Sequence, residues 1–121
     1  MIYETWLKWH QYREPLLKAL EQCHGSHTED DVLVRLASGE YKLWTWEGSA
    51  LVTYFVDYPQ FKAINMFIYG GDLVELATKQ SEVETWAAKH GAKRVVAGGR
   101  EGWGKMFPDY LRYATMYYKD L

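Results

Sequence analysis

The feature that most restricts the fold is a strand–helix–strand unit in the middle of the chain. A mostly apolar run of strand length, Lys62–Tyr69, ends at Gly70–Gly71. The next segment, Asp72–His90, repeats its apolar residues at the spacing of one helix face. Gly91 is suited to end that helix, and the β-branched run Lys93–Ala97 is typical of a second strand. Two strands joined by one helix are expected to lie parallel, with a right-handed crossover.

The segment before this unit predicts an antiparallel meander. Tyr41–Trp46 is rich in residues that favour strands, Glu47–Ser49 forms a tight turn, and Ala50–Asp57 is the returning strand. A second turn at Tyr58–Phe61 leads into Lys62–Tyr69. The sequence therefore predicts three antiparallel strands, to which the crossover adds a parallel fourth.

Helical segments are predicted on the N-terminal side of the meander. Tyr3–Tyr12 shows a loose helical pattern. Glu14–Pro15 begins a second helix, because proline suits the first turn, and its apolar face continues to about Gln22. Thr28 is placed to cap a third helix that ends at Gly39.

The C-terminal part of the chain predicts a short helix and a last strand. The helix runs through Lys105–Phe107 and stops at Pro108, and the alternation of Leu111–Lys119 favours a strand. No repeat, low-complexity tract or linker divides residues 1–121. We therefore expect one α/β domain whose mixed, mainly antiparallel sheet is flanked by helices.

Composition narrows the classes of partner and compartment. The formal net charge of the 121 residues is -2 and no long basic run occurs, which does not favour nucleic acid. The one cysteine, Cys23, excludes an intramolecular disulfide and fits a reducing compartment. No signal peptide and no apolar run of bilayer-spanning length is evident, so we expect a cytosolic protein without a membrane partner. Aromatic residues make up 17% of the chain, which indicates either a core of large side chains or aromatic surfaces.

Three candidate metal ligands lie close together at Cys23, His24 and His27. A structural zinc site usually has four ligands in two spaced pairs, and no second pair stands elsewhere in the sequence. The sequence therefore predicts a turn between two helices at this place, with no metal.

The order of these elements resembles the GNAT superfamily of N-acetyltransferases, over about Glu14–Lys119. The first strand expected in that fold is not evident. A narrower pattern is similar to small GNAT-like proteins of tailed bacteriophages; it consists of Val83–Ala87, His90–Ala92, Arg94–Val95 and Gly99–Trp103. Some such proteins are acetyltransferases, and others are components of the virion.

The resemblance implies an acyl-CoA site at the turn between the crossover strand and its helix. In GNAT enzymes backbone N–H groups and the helix N-terminus hold the pyrophosphate there. The matching positions are Ile68, Tyr69, Gly70 and Gly71. The Gln or Arg that leads the family pattern is missing, and Asp72 and Glu75 put carboxylates where phosphate would lie. The other interpretation is a simple turn followed by Asp72 as a helix N-cap.

The resemblance also implies a catalytic acid, a tyrosine that follows the short helix. Tyr110 is the match by position, with Tyr113 further along, and its structural alternative is a ring packed on the sheet edge. No carboxylate base lies on Lys62–Tyr69, where Asn65 is the polar interior residue.

A further candidate is the pair Arg100 and Trp103, since glycines on both sides of the tryptophan would expose its ring. An exposed Arg–Trp pair suits a protein interface, whereas the structural alternative is a tryptophan that fills the end of the sheet.

Taken together, these features predict a phage-encoded, GNAT-like protein without catalytic activity or cofactor. It would be made in the host cytoplasm and would act in particle assembly, by contacts with other virion proteins or with itself. The alternative is an acetyl-CoA-dependent N-acetyltransferase with a degenerate pyrophosphate loop.

Overall fold

Helices cover the two faces of a mixed sheet. The computed structural model of the protein describes residues 3–98 and 103–121. Within them, the helices are α1 (Tyr3–Gln11), α2 (Arg13–Leu20), α3 (Glu29–Ser38), α4 (Leu73–Lys89) and α5 (Trp103–Met106). The strands of this part are β1 (Tyr41–Trp46), β2 (Ser49–Asp57), β3 (Lys62–Gly71) and β4 (Ala92–Ala97). Their order in the sheet is β1-β2-β3-β4, antiparallel except for the parallel pair β3–β4.

This architecture confirms the predicted α/β class and the predicted crossover. The helix expected over Asp72–His90 is α4, with Asp72 as its N-cap. The second predicted helix is shorter than expected, because α2 ends at Leu20 and a single 3-10 turn, Glu21–Cys23, follows it.

The first face of the sheet is covered by α1, α2 and α3. Trp9, Leu16 and Val32 are fully buried there, one from each helix. They pack against Val52 and Ile68 of the two central strands. The three helices therefore bury one apolar stripe each in a common core.

One carboxylate, that of Glu29, joins these three helices. It accepts a hydrogen bond from Trp9 Nε1 at 2.8 Å and from Arg13 Nε and Nη2 at 2.7 and 2.9 Å. Glu29 is also the first residue of α3, which begins with the predicted cap: Thr28 Oγ1 accepts from the backbone N–H of Asp31. The hydrogen bonds from Arg13 are the main reason why the pKa of Glu29 lies below its ordinary value.

Stability is therefore expected to fall when the pH drops below about 4.5. A carboxyl group whose pKa is lower in the folded state stabilises that state above its unfolded pKa, and the contribution disappears as the pH falls through the folded pKa. Urea unfolding measures the free energy of unfolding at about pH 7 and at about pH 3. The decrease between these two pH values should be smaller for Glu29→Gln than for the wild type. The matched control is Glu14→Gln, beside Arg13, which should keep the wild-type dependence. An equal decrease in the wild type, Glu29→Gln and Glu14→Gln would contradict this role of Glu29.

The second face of the sheet is covered by α4. Leu76 and Val83 of this helix are fully buried and pack in one cluster with Leu51, Ile64 and Met66 of the central strands. Phe107, just after α5, is 5% exposed and extends the same cluster. This packing holds the start of α4 against the end of β3, which is the place of the predicted acyl-CoA turn.

The predicted last strand, Leu111–Lys119, is wrong for the single chain. These residues have no regular secondary structure and all of them are exposed. Strand propensity expresses how well a side chain packs on a half-buried sheet, so alternation alone does not hold a strand that makes no ladder. We call residues 111–121 the C-terminal segment.

Candidate functional sites

Gly70 and Gly71, predicted as a turn, are instead the last two residues of β3, where they pair with Ala50 and Ser49 of β2 and pack against backbone. A Cβ atom on Gly70 would lie 2.7 Å from the carbonyl carbon of Pro15 in α2. Gly71 has φ of +115°, and a Cβ atom there would lie 2.7 Å from Cα of Ser49. Such approaches exclude any side chain, so both glycines are required by packing. Packing therefore explains the presence of these two glycines without a bound anion.

Carboxylates occupy the start of α4. Asp72 caps the helix by accepting from the backbone N–H of Val74 at 2.9 Å. Glu75 accepts from the backbone N–H of Gly48 at 3.0 Å and from the hydroxyl of the buried Ser49. The helix terminus thus already has negative partners from the chain itself, and an incoming phosphate would meet both carboxylates.

The two residues before the glycines face opposite sides of the sheet. Ile68 is 3% exposed and belongs to the core beneath α1–α3. Tyr69 packs on the α4 side, where its hydroxyl donates to the carbonyl oxygen of Asp72 and burial raises its pKa. Of the four predicted cofactor positions, each therefore has a structural role of its own.

Tyr110 lies against the middle of α4, in a polar cluster. Its hydroxyl donates to Glu84 Oε2 at 2.6 Å and accepts from the amide of Gln80. That amide also contacts Met66 Sδ at 3.1 Å, while Gln80 Oε1 has no hydrogen-bond partner among the residues that the structure describes. Burial, and then the bond to Glu84, raise the pKa of Tyr110 well above its ordinary range. A higher pKa weakens the hydroxyl as an acid, which favours the structural interpretation.

Sequence analysis missed Gln80 and Glu84 as the partners of Tyr110. The signal was Gln80 itself, which occupies the same buried face of α4 as Leu76 and Val83. A polar residue on an apolar helix face requires a partner, and a tyrosine hydroxyl from a distant segment is a suitable one.

Tyr110→Phe is expected to lower the free energy of unfolding by about 1–2 kcal/mol, because the buried Gln80 amide loses its acceptor. Urea unfolding measures the change. Tyr113→Phe is the matched control, since Tyr113 is 77% exposed, and should change stability by less than about 0.5 kcal/mol. Equal effects of the two substitutions would contradict the role of the Tyr110 hydroxyl.

The structure does not describe the side chains of the predicted interface pair, Arg100 and Trp103. Arg100 and the side chain of Trp103 lie outside the described residues. The backbone of Trp103 begins α5, close to where a short helix was predicted. The interface role of the pair stays a prediction.

The aromatic residues serve both of the roles considered. Trp86 of α4 meets the ring of Trp44 edge-on at 5.3 Å and stacks on Phe55 at 5.4 Å. Lys42 Nζ lies 4.8 Å from the Trp44 ring centre, and Lys62 Nζ lies 4.0 Å from that of Phe55. These rings close the edge of the core, whereas the C-terminal segment has exposed ones. Its strongly exposed large apolar residues are Leu111, Tyr113, Met116, Tyr117, Tyr118 and Leu121.

A shallow groove of about 260 Å³ lies beside β4. Phe61 and Tyr58 line it from the β2–β3 turn, Arg94 and Val96 from β4, and Tyr113 from the C-terminal segment. The guanidinium of Arg94 sits 4.3 Å from the centre of the Phe61 ring. The groove is therefore where the C-terminal segment meets the edge of the sheet.

The histidines near Cys23 contact other groups. His27 shares a hydrogen bond with Ser26 Oγ at 2.6 Å and its ring lies 4.7 Å from that of Phe67. The ring of His24 lies 5.2 Å from that of Tyr118, and burial raises the pKa of the Cys23 thiol. Within the described part of the chain, no group of three or more His, Cys, Asp or Glu residues is arranged to hold a metal ion.

The comparisons with known proteins bear on the fold alone. No protein-family model and no curated protein sequence matches this chain. A mutant form of TTHA1254 from Thermus thermophilus has a similar structure, with a TM-score of 0.56 and 14% sequence identity. The likeness covers 80% of this chain and 84% of that one. Among residues 3–98 and 103–121, no helix combines the length and the apolar character needed to cross a bilayer.

Proposed function

We propose that this chain is a GNAT-like protein without catalytic activity, which acts by protein–protein contacts in the assembly of a tailed-bacteriophage particle. The observation that carries the proposal is the closed start of α4. Asp72 and Glu75 take donors there, and the glycines before them are packed against backbone. A pyrophosphate at this turn would have to compete with both carboxylates, so acyl-CoA would lack its main anchor.

The exposed apolar side chains of the C-terminal segment support the role in protein contacts. Six large apolar side chains are exposed within its eleven residues, and exposed apolar surface of this kind is commonly covered by a partner. Tyrosine and methionine are also enriched in interfaces. Arg100 and Trp103, which precede Phe107 in the chain, would also contact the partner. Other virion proteins, or a second copy, are the partners.

An acetyl-CoA-dependent N-acetyltransferase is the second candidate, because β3 extends beyond its ladder with β4. That ladder ends at the pair Met66–Ala97, while β3 continues to Gly71. This end of β3 leads to the start of α4, where GNAT enzymes bind acyl-CoA, and Tyr110 would be the acid.

Calorimetric titration with acetyl-CoA separates the two candidates. The wild type is expected to give no binding up to about 1 mM, a concentration that corresponds to a weak affinity. The N-acetyltransferase candidate requires binding by the wild type and tighter binding by Asp72→Lys, which replaces a repelling carboxylate with a cation. Asp57→Lys, an equal charge change at the exposed end of β2, is the control. Saturable binding by the wild type would overturn the non-catalytic proposal.

The assembly role has its own test in purified particles of the phage that encodes the chain. Mass spectrometry should detect the protein in those particles, and Trp103→Ala should reduce its amount relative to the other components. Particles that lack the protein would contradict the assembly role.

A further inference from the structure

β4 forms one edge of the sheet. In the part of the chain that the structure describes, β4 pairs with β3 alone and lies at the end of the sheet order. An edge strand presents a row of backbone N–H and C=O groups that readily pair with another strand. Lys93 and Arg94 on this strand are exposed. The outer backbone groups of β4 therefore have no strand partner among the described residues.

The C-terminal segment begins beside this edge from a fixed point. Phe107 is buried against α4 and Tyr110 is hydrogen-bonded to that helix, so the chain is held up to residue 110. Beyond it, Tyr113 reaches the groove next to Val96, and Tyr118 contacts His24 on the other face of the sheet. The segment thus passes close to β4 without pairing with it.

The length and pattern of the segment match the free edge. Nine extended residues, Leu111–Lys119, would span roughly 30 Å, and the six residues of β4 span roughly 20 Å. Tyr113 and Val96 line the same groove, and an antiparallel ladder that sets these two residues opposite each other would place Thr115 opposite Arg94. The alternation of Leu111–Lys119 would then place one set of side chains on the face of the new strand that packs against the protein.

We propose that β4 accepts the C-terminal segment of a second copy of this chain, and that two copies exchange these segments reciprocally. The inference rests on the proposed role in protein contacts and names the partner. An exchange of this kind is isologous, so it satisfies both free edges and closes as a dimer.

The area available is sufficient for a stable dimer. Three large side chains share one face of the segment and are between 77% and 90% exposed: Leu111, Tyr113 and Tyr117. Covering side chains of this size removes on the order of 100–200 Å² each, hence on the order of 600–1,200 Å² for two segments, and the surfaces that cover them lose a comparable area. Specific protein interfaces bury about 1,200–2,000 Å² in total.

Sedimentation velocity between about 1 and 100 μM tests the dimer, since that range brackets a micromolar dissociation constant. The expected species has twice the 14.2 kDa mass of one chain. Adjacent residues of an edge strand alternate in whether their N–H faces the partner. One of the two variants Ala114→Pro and Thr115→Pro should therefore weaken dimerisation roughly 100-fold. Lys119→Pro, at the end of the segment, is the control with a small effect. Since the segment has no regular structure in one chain, the circular dichroism of all three variants should equal that of the wild type at concentrations where each is monomeric.

Cysteine crosslinking decides whose segment lies on β4. In a Cys23→Ser background, Arg94→Cys and Thr115→Cys are made in separate chains and the two proteins are mixed under oxidising conditions. A disulfide-linked dimer in the mixture supports the exchange. A disulfide formed only when both cysteines are in one chain, in a monomer, would show that the segment pairs with its own β4 and would overturn the inference.

A strictly monomeric wild type at about 100 μM, or dimerisation that survives both proline variants, would also overturn it. None of these outcomes depends on acetyl-CoA, whose binding tests the proposed function separately. A monomer that is still found in particles would refute the exchange alone.

Discussion

Trp9→Ala is expected to lower the free energy of unfolding by about 3–5 kcal/mol, the range for removal of a buried tryptophan. The side chain of Trp9 is fully buried between the N-terminal helices and the sheet. Its indole N–H also donates to Glu29, so the substitution removes both apolar contacts and one bond of the junction between helices. Urea unfolding followed by circular dichroism measures the loss.

Two variants separate the contributions of Trp9. Trp9→Phe retains most of the apolar volume and loses the donor, so its cost should be well below that of Trp9→Ala. Trp6→Ala changes the same residue type in the same helix, at a position that is 37% exposed, and should cost less than Trp9→Ala. If Trp6→Ala were as harmful as Trp9→Ala, the burial of Trp9 could not be the reason.

Gly71→Ala is expected to lower the free energy of unfolding by about 2–6 kcal/mol, the sum of two effects. The backbone at Gly71 has φ of +115°, where a residue with a Cβ atom is strained by about 1–3 kcal/mol. The new methyl group would also overlap the backbone of Ser49, and overpacking costs about 1–3 kcal/mol. The loss should appear in urea unfolding without any ligand.

Gly91→Ala is the matched control for this substitution. Gly91 also has a positive φ, of +90°, but apart from its chain neighbours no atom of the described residues lies within 4 Å of its Cβ position. It should therefore show backbone strain alone, about 1–2 kcal/mol. If Gly71→Ala and Gly91→Ala lowered the free energy of unfolding equally, packing on Ser49 would not explain Gly71. That result would favour the cofactor interpretation of the glycine pair.

Elements that depend on neighbouring residues were predictable from the sequence. The spacing of Leu76 and Val83 together with the cap at Asp72 located α4, and Thr28 located the start of α3. These signals lie within one helix and its first turn, so local propensity and hydrogen bonding determine them. The meander was predictable for the same reason, because each of its turns joins neighbours along the chain.

The roles of Gly70 and Gly71 were not predictable, because their reasons lie far away in sequence. Pro15 and Ser49, which fill the space beside them, belong to α2 and to the start of β2. A glycine pair before a helix is read locally as either a turn or an anion site. Only the packing of distant backbone distinguishes these interpretations.

The last strand shows the opposite error, in which a correct local signal lacked a partner. Leu111–Lys119 alternates as a strand should, yet in the single chain it is exposed throughout. Pairing of strands is a tertiary event that propensity does not supply. Among the candidate site residues, Tyr110 was singled out by its position after the short helix, but its partners Gln80 and Glu84 were not predicted.

The order of the strands has a consequence for how the chain folds. Their positions in the sheet, β1-β2-β3-β4, repeat their order along the sequence, so each strand pairs with the one made just before it. The short loops between the antiparallel strands cost little chain entropy to close, whereas the connection from β3 to β4 is the longest one in the sheet. Pairing between strands that are neighbours in sequence is associated with fast folding, so the three antiparallel strands are expected to pair before β4 joins them.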